Sequence, residues 1–134
     1  KPGPQPAPHK LPETAPTMKV DCKTHPNSAL IYRLSGDRNP LHADPAAAAK
    51  GGFKTPILHG LCTYGVTGRA IVKACCGGDP AKLKSIQVRF SSPVFPGETI
   101  RTEIWQDGGQ VSFRARVVER DVVVLNNGLA AVAA

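Results

Sequence analysis

With 134 residues, 41% of them hydrophobic, the chain is long enough for one domain with a real core, and its net charge of +7 favours an anionic partner. No apolar run is long enough to span a membrane and nothing reads as a secretory signal. The four cysteines, Cys22, Cys62, Cys75 and Cys76, form no C-x-x-C pair, which argues against a disulfide framework or a cysteine metal site and for reduced thiols inside a cell. The basic surplus is dispersed, without a basic arm or an aromatic–basic platform. Nucleic acid is therefore the weaker partner and a phosphate-bearing small molecule the stronger.

Residues 1–17 carry Pro at positions 2, 4, 6, 8, 12 and 16 and little that is apolar. They read as an extended, polyproline-like linker or tail, and residues 18–134 as the folded domain. Met18 to Thr24 alternates loosely and is expected to add a strand. His25-Pro26-Asn27 offers a cap for a short helix from Ser28 to Leu34, which Gly36 ends.

The next stretch, Gly36-Asp37-Arg38-Asn39-Pro40-Leu41-His42, cannot be regular structure. Gly36 permits a left-handed backbone, and Pro40 removes a donor while pushing Asn39 out of the helical region. An extended surface loop is expected, with Asp37 and His42 turned towards a common spot. A carboxylate beside an imidazole is a general acid/base pair suited to neutral pH. Taken singly, Asp37 reads as well as a turn cap, and His42 as a satisfied loop histidine.

Asp44-Pro45 then opens a short alanine helix that Gly51-Gly52 stops. Pro56-Ile57-Leu58-His59-Gly60 is a tight connection, with His59 shaping the turn rather than catalysing. A long helix follows from about Leu61 to Cys76, closed by Gly77-Gly78. Leu61, Tyr64, Gly65, Gly68, Ile71, Val72 and Cys75 fall near helical spacing on it. Gly60, Gly65 and Gly68 weaken this helix, which makes sense if a sheet approaches it closely.

The remainder reads as strands. Ile86, Val88 and Phe90 alternate with Gln87, Arg89 and Ser91. Thr99 to Gln106 and Gln110 to Glu119 flank the hairpin signal Asp107-Gly108-Gly109. Asp121 to Leu125, Asn126-Asn127-Gly128 and a last apolar stretch supply another strand. The class is α+β, one long helix on one face of an antiparallel sheet, with strand order unread.

Three ordered segments now carry a resemblance: Tyr32-x-Leu-Ser-Gly-Asp37-x-Asn39-Pro40-Leu41-His42, then Pro56-Ile57-Leu58-His59-Gly60, then Val88-Arg89-Phe90-Ser-Ser-Pro93-Val-Phe95-Pro96-Gly97. Together they resemble the MaoC-like (R)-specific enoyl-CoA hydratases (hydratase 2), over nearly everything from about Asn27 to Ala130. They are most similar to the catalytic C-terminal repeat of the peroxisomal multifunctional enzymes of type 2. The resemblance implies a hot-dog fold, an antiparallel sheet wrapped around one long helix. It implies reversible syn hydration of trans-2-enoyl-CoA to (3R)-3-hydroxyacyl-CoA in fatty-acid β-oxidation, with no cofactor beyond the CoA of the substrate and no metal.

In the family's terms Asp37 and His42 hold the catalytic water, His42 as the main base and Asp37 orienting water and handling the C2 proton, with the reverse division left open. Asn39 fixes the loop. The Gly60 N–H polarises the thioester at a helix N-terminus. Arg89, Lys84 and Arg69 are candidates for the CoA phosphates, against a plain solvated basic face.

Two-repeat members carry an N-terminal hot-dog half that helps bind the acyl-CoA. The Pro-rich start of this chain looks like the joint between halves, so either a fragment or a homodimer is expected, peroxisomal if derived from the multifunctional enzyme and otherwise cytoplasmic. Other hot-dog activities, a dehydratase or thioesterase, and an acyl-CoA-binding half-module that is inactive alone stand as alternatives.

Overall fold

The computed structural model describes residues 2–133. Lys1 and Ala134, the outer bounds of the expected linker and domain, lie outside the described residues. Five strands form one antiparallel sheet in the order β1-β3-β4-β5-β2: β1 Met18–Lys23, β2 Leu83–Phe90, β3 Thr99–Asp107, β4 Gln110–Val117 and β5 Val122–Val132. Helices α1 Ser28–Tyr32 and α2 Pro45–Lys50 are short, and α3 Gly60–Cys75 is the long one. This helix lies across β3, β1 and β2. The domain is a hot-dog fold.

Alternation along the strands divides the sheet. Val111, Phe113, Ala115 and Val117 of β4 are fully buried beneath α3. Ile104 and Ile100 of β3 pair with Phe113 and Val117 on the same face. Burying a side chain of this size contributes about 1.5–3 kcal/mol. The core has two parts. Ile71, Ile104, Val111, Phe113 and Ala130 fill one, and Leu58, Val94, Ile100, Val117, Val124 and Leu125 fill the other. Leu58 and Val94 place the second part under the loops that carry the site.

The sheet side of α3 differs from the expected stripe. Thr63, Thr67, Ala70 and Ile71 are the buried positions, whereas Leu61 is exposed. Small residues face the sheet because the helix lies close on it, and two of the buried positions are threonines that no apolar-periodicity count collects. Of the three glycines on this helix, a side chain at Gly65 would meet nothing and one at Gly68 only the tip of Ile86. Close approach explains Gly60 alone, where a Cβ would sit 3.0 Å from the Phe90 ring.

Asn126-Asn127-Gly128 does not break the last strand. β5 runs through it as eleven residues, with Asn127 at φ 53°. Gly128 is required there, since a Cβ would lie 2.5 Å from the Phe113 carbonyl oxygen. The Asp107–Gln110 pair closes the hairpin with Gly108-Gly109 as its two-residue loop, as the dipeptide signal predicts.

Residues 2–16 contain no helix or strand, yet they are tied to the outer face of the sheet. The Trp105 indole N–H donates to the Thr14 carbonyl at 2.8 Å, His9 Nε2 lies 2.9 Å from Ser112 Oγ, and Asn127 Nδ2 donates to the His9 carbonyl at 2.9 Å. Thr17 donates to Ile104 O beside β1. The segment therefore crosses from the β1–β3 side to the β5–β2 side. Beside Gln5 to His9 it leaves a groove of about 540 Å³ against Gln87, Arg89 and Asn127.

Candidate active site

Three loops meet at the N-terminus of α3. The first begins where α1 tightens into a 3-10 turn, Arg33–Ser35, and stops at Gly36 with φ 114°. Asn27 occupies the N-cap of α1 without a side-chain bond. Ser28 Oγ accepts from the His25 N–H instead. After Gly36 the Asp37 carboxylate accepts from the Asn39 N–H at 3.2 Å, and Asn39 Oδ1 accepts from the Leu41 N–H at 3.0 Å. These two Asx turns fold Pro40–His42 into a second 3-10 turn where an extended loop was expected. Pro40 sits at its start, where a missing N–H does no harm.

The turn aims the His42 ring inwards. Its Nδ1–H donates to the Ile57 carbonyl at 2.8 Å, which leaves Nε2 with a lone pair and the character of a base. His59 follows two residues after Ile57, as the N-cap of α3, and is buried. It makes no cap bond. Its Nε2–H donates to the Asp37 backbone carbonyl at 3.1 Å, and its ring stacks on His42 with centroids 3.8 Å apart at 25°. The Tyr32 ring lies 4.7 Å from the His59 ring, tilted at 47°.

A carboxylate oxygen of Asp37 and ring nitrogens of His42 and His59 all lie within 4.8 Å of one another. Such a gap admits one water bonded to Asp37 and His42 together. As cation ligands the three are poorly disposed. Nearly parallel rings keep their in-plane lone pairs from converging, and two of the four ring nitrogens are bonded to carbonyls.

Beside His42 opens a cleft of about 320 Å³, walled by Gly60, Phe53, Leu58, Phe90 and Val94. Gly60 is the first residue of α3, so its N–H has no intrahelical acceptor and stands at the positive end of the helix dipole. An apolar cleft bordered by a helix-terminal N–H and an imidazole suits an acyl group whose carbonyl gains charge during reaction.

The structure thus brings Asp37, Asn39, His42 and Gly60 together. It does not bring Arg89, Lys84 or Arg69 to the cleft. Arg89 alternates with Phe90 and lies in the groove on the outer face. Lys84, exposed at the start of β2, donates to the Ala81 carbonyl, and Arg69 is exposed on α3. Two contributors were illegible in sequence: the Ile57 carbonyl, because any residue carries one, and the inward reach of His59.

Comparison with known proteins accords with this geometry. The family model described as MaoC like domain matches residues 6–128. The chain belongs to the MaoC-like domain family. This MaoC-like domain is 50% identical over 116 residues to "Enoyl-CoA hydratase 2, peroxisomal" of Arabidopsis thaliana, covering 87% of this chain and 38% of that protein. It is 47% identical over 122 residues to "Peroxisomal multifunctional enzyme type 2" of Drosophila melanogaster, covering 91% and 20%. Among solved structures, a MaoC-like dehydratase from Phytophthora capsici superposes with a TM-score of 0.94 at 51% identity, over 99% of this chain and 45% of that one. The MaoC-like domain spans less than half the length of each of these relatives.

Proposed function

We propose that this MaoC-like domain is an (R)-specific enoyl-CoA hydratase, adding water reversibly to trans-2-enoyl-CoA thioesters to give (3R)-3-hydroxyacyl-CoA in β-oxidation. The observation that carries the reading is the Asp37–His42 pair, a carboxylate oxygen and a ring nitrogen within 4.8 Å of each other, beside an apolar cleft that Gly60 helps to wall. The thioester oxygen lies at the Gly60 N–H. His42 Nε2 takes one proton from the shared water as the water oxygen bonds to C3, and the double-bond electrons move towards the thioester oxygen. The proton returns to C2 through the pair, with Asp37 orienting the water and handling that transfer. One water delivers hydroxyl and proton to one face, so the addition is syn. The net change is H and OH across C2 and C3, and no co-reactant is needed.

Exposure at the site favours a second reading, in which this chain is one half of a double hot-dog. Leu30, Ile31 and Leu34 on and after α1, Leu61 beside Gly60, and Phe90 at the end of β2 are all exposed, and so is Asp37. β2 is an edge strand with unpaired backbone groups. A partner hot-dog, a second copy of this chain or a preceding repeat, would cover this rim. The route of residues 5–9 towards β2 would deliver a preceding repeat to that edge. If that preceding repeat is the one of a multifunctional enzyme, the site lies in a peroxisomal enzyme, like the relative from Drosophila melanogaster whose name carries that word. Crotonyl-CoA is the test: loss of the enoyl-thioester absorbance with (3R) product supports the hydratase, and a dimeric mass in light scattering supports the homodimer. Folded protein that leaves the band unchanged overturns activity of the single repeat, and restoration by an added N-terminal repeat then supports the half-module.

A further inference from the structure

We infer that His59 is a positioning residue that locks Asp37 and His42 into one working pair. The kinetic side of this inference rests on the hydratase reading; its geometric side does not. His59 is 1% exposed, and burying an imidazole is costly unless its polar atoms are bonded. Its one side-chain bond among the described residues goes to the Asp37 carbonyl, 22 positions away, and its Nδ1 has no partner. A residue kept to begin α3 would be Ser, Asp or Asn, accepting from the helix, and a residue kept to fill space would be Leu. His59 does neither job.

What it does is supply the restraint that each reacting group lacks. The Ile57 carbonyl fixes where the His42 Nδ1–H points, yet one hydrogen bond leaves the ring free to roll about that line. The His59 ring, 3.8 Å away and nearly parallel, removes the roll and sets the plane in which Nε2 faces the water. Asp37 follows Gly36, whose left-handed backbone gives the loop freedom at that point. Holding the Asp37 carbonyl fixes the peptide plane that follows Asp37, on the way to the Asn39 N–H that bonds its carboxylate.

Four consecutive residues thereby serve the whole site. Ile57 orients His42, the Leu58 N–H anchors the segment to the Val94 carbonyl at 2.7 Å, His59 clamps the pair, and Gly60 presents its N–H. The distance between base and oxyanion donor is set by one short stretch rather than by the packing of distant elements.

The test uses His59→Leu, which removes donor and stack, and His59→Gln, whose amide N–H falls near the position of Nε2. Partners that orient a reacting group typically matter by about 10–100-fold. The Leu variant should lose about that much kcat with KM within about threefold, and Gln should recover part of the loss. In an Asp37→Asn background His59→Leu should cost clearly less than in wild type, because one of the two groups it positions no longer reacts while the stack on His42 is still lost. Unchanged kcat in both variants, a change confined to KM, or the full loss in the Asp37→Asn background overturns the inference. If Leu fails to fold, Gln carries the test, and kcat equal to wild type in Gln overturns the stacking role.

Should wild type prove inactive on crotonyl-CoA, activity of the single repeat falls and imidazole N–H exchange by NMR decides the clamp alone. A His42 Nδ1–H that is protected in wild type and loses protection in the His59 variants supports it. Equal protection in all three overturns it.

Discussion

Asp37→Asn separates chemistry from architecture, because the structure shows what the substitution keeps. Asparagine retains the oxygen that accepts from the Asn39 N–H at 3.2 Å, so the turn leading to Pro40 survives. The bond from His59 goes to the Asp37 backbone carbonyl and is indifferent to the side chain. The side chain is exposed, so no buried charge is created or stranded. What disappears is a carboxylate able to orient water and exchange a proton. General acid–base participation of this kind is worth about 10²–10⁴ in rate, or about 2.7–5.5 kcal/mol of barrier. The variant should therefore melt within a few degrees of wild type and bind the unreactive butyryl-CoA with similar affinity in calorimetry. Its turnover of crotonyl-CoA should fall at least 100-fold. Turnover within tenfold of wild type, from equally folded protein, would refute Asp37 as a reacting group and reduce it to a turn former.

Gly128→Ala should cost more than about 3 kcal/mol in a urea titration, since the new Cβ meets the Phe113 backbone at 2.5 Å and strands β4 and β5 must part; a loss below 1 kcal/mol would show that the strands yield easily. Thr67→Val should be neutral or stabilising by up to about 1 kcal/mol, because the Thr67 hydroxyl is buried without a partner, and a clear loss would mean that it has one. Arg120 bonds the Glu98 carboxylate and the Pro93 carbonyl and so staples the loop that walls the cleft. Arg120→Ala should cost about 2 kcal/mol and raise hydrogen exchange at Phe95 and Glu98, and unchanged exchange there would reject the staple. The Arg101 guanidinium holds the Asp21 carboxyl below its ordinary value of 3.8, so this pair stabilises the fold at neutral pH and ceases to as pH falls through the lowered value. Asp21→Asn should lower Tm slightly at pH 7 and not at all in strong acid, and an offset that persists there would reject the linkage.

Elements set by local chemistry were legible before any coordinates. Asp44-Pro45 caps and starts α2, Gly108-Gly109 turns the hairpin, and alternation alone put Val111, Phe113, Ala115 and Val117 in the core. Elements set by partners distant in sequence were not. The order β1-β3-β4-β5-β2 depends on which edges meet, and no alternation pattern encodes that. The buried threonines of α3 and the unbroken β5 follow from how closely helix and sheet, and β4 and β5, approach one another. Residues 2–16 read as a plain linker because their anchors are mostly backbone carbonyls, of Thr14 and His9, which no composition reveals.

The site divides along the same line, and the division accounts for its chemistry being so easily recognised. Asp37, Asn39 and His42 stand within six residues, joined by turns that Gly36, Asn39 and Pro40 dictate locally, so their types and spacing survive as a motif. Gly60 is legible for a related reason: a helix N-terminus leaves an N–H free wherever it occurs. His59 belongs to neither class. Its place before Gly60 marks a turn, and only the fold turns its ring back onto His42 and its Nε2 onto Asp37. On the proposed mechanism the motif names the groups that would react and leaves silent the one that would hold them together, because reacting groups are constrained by chemistry and a clamp only by geometry.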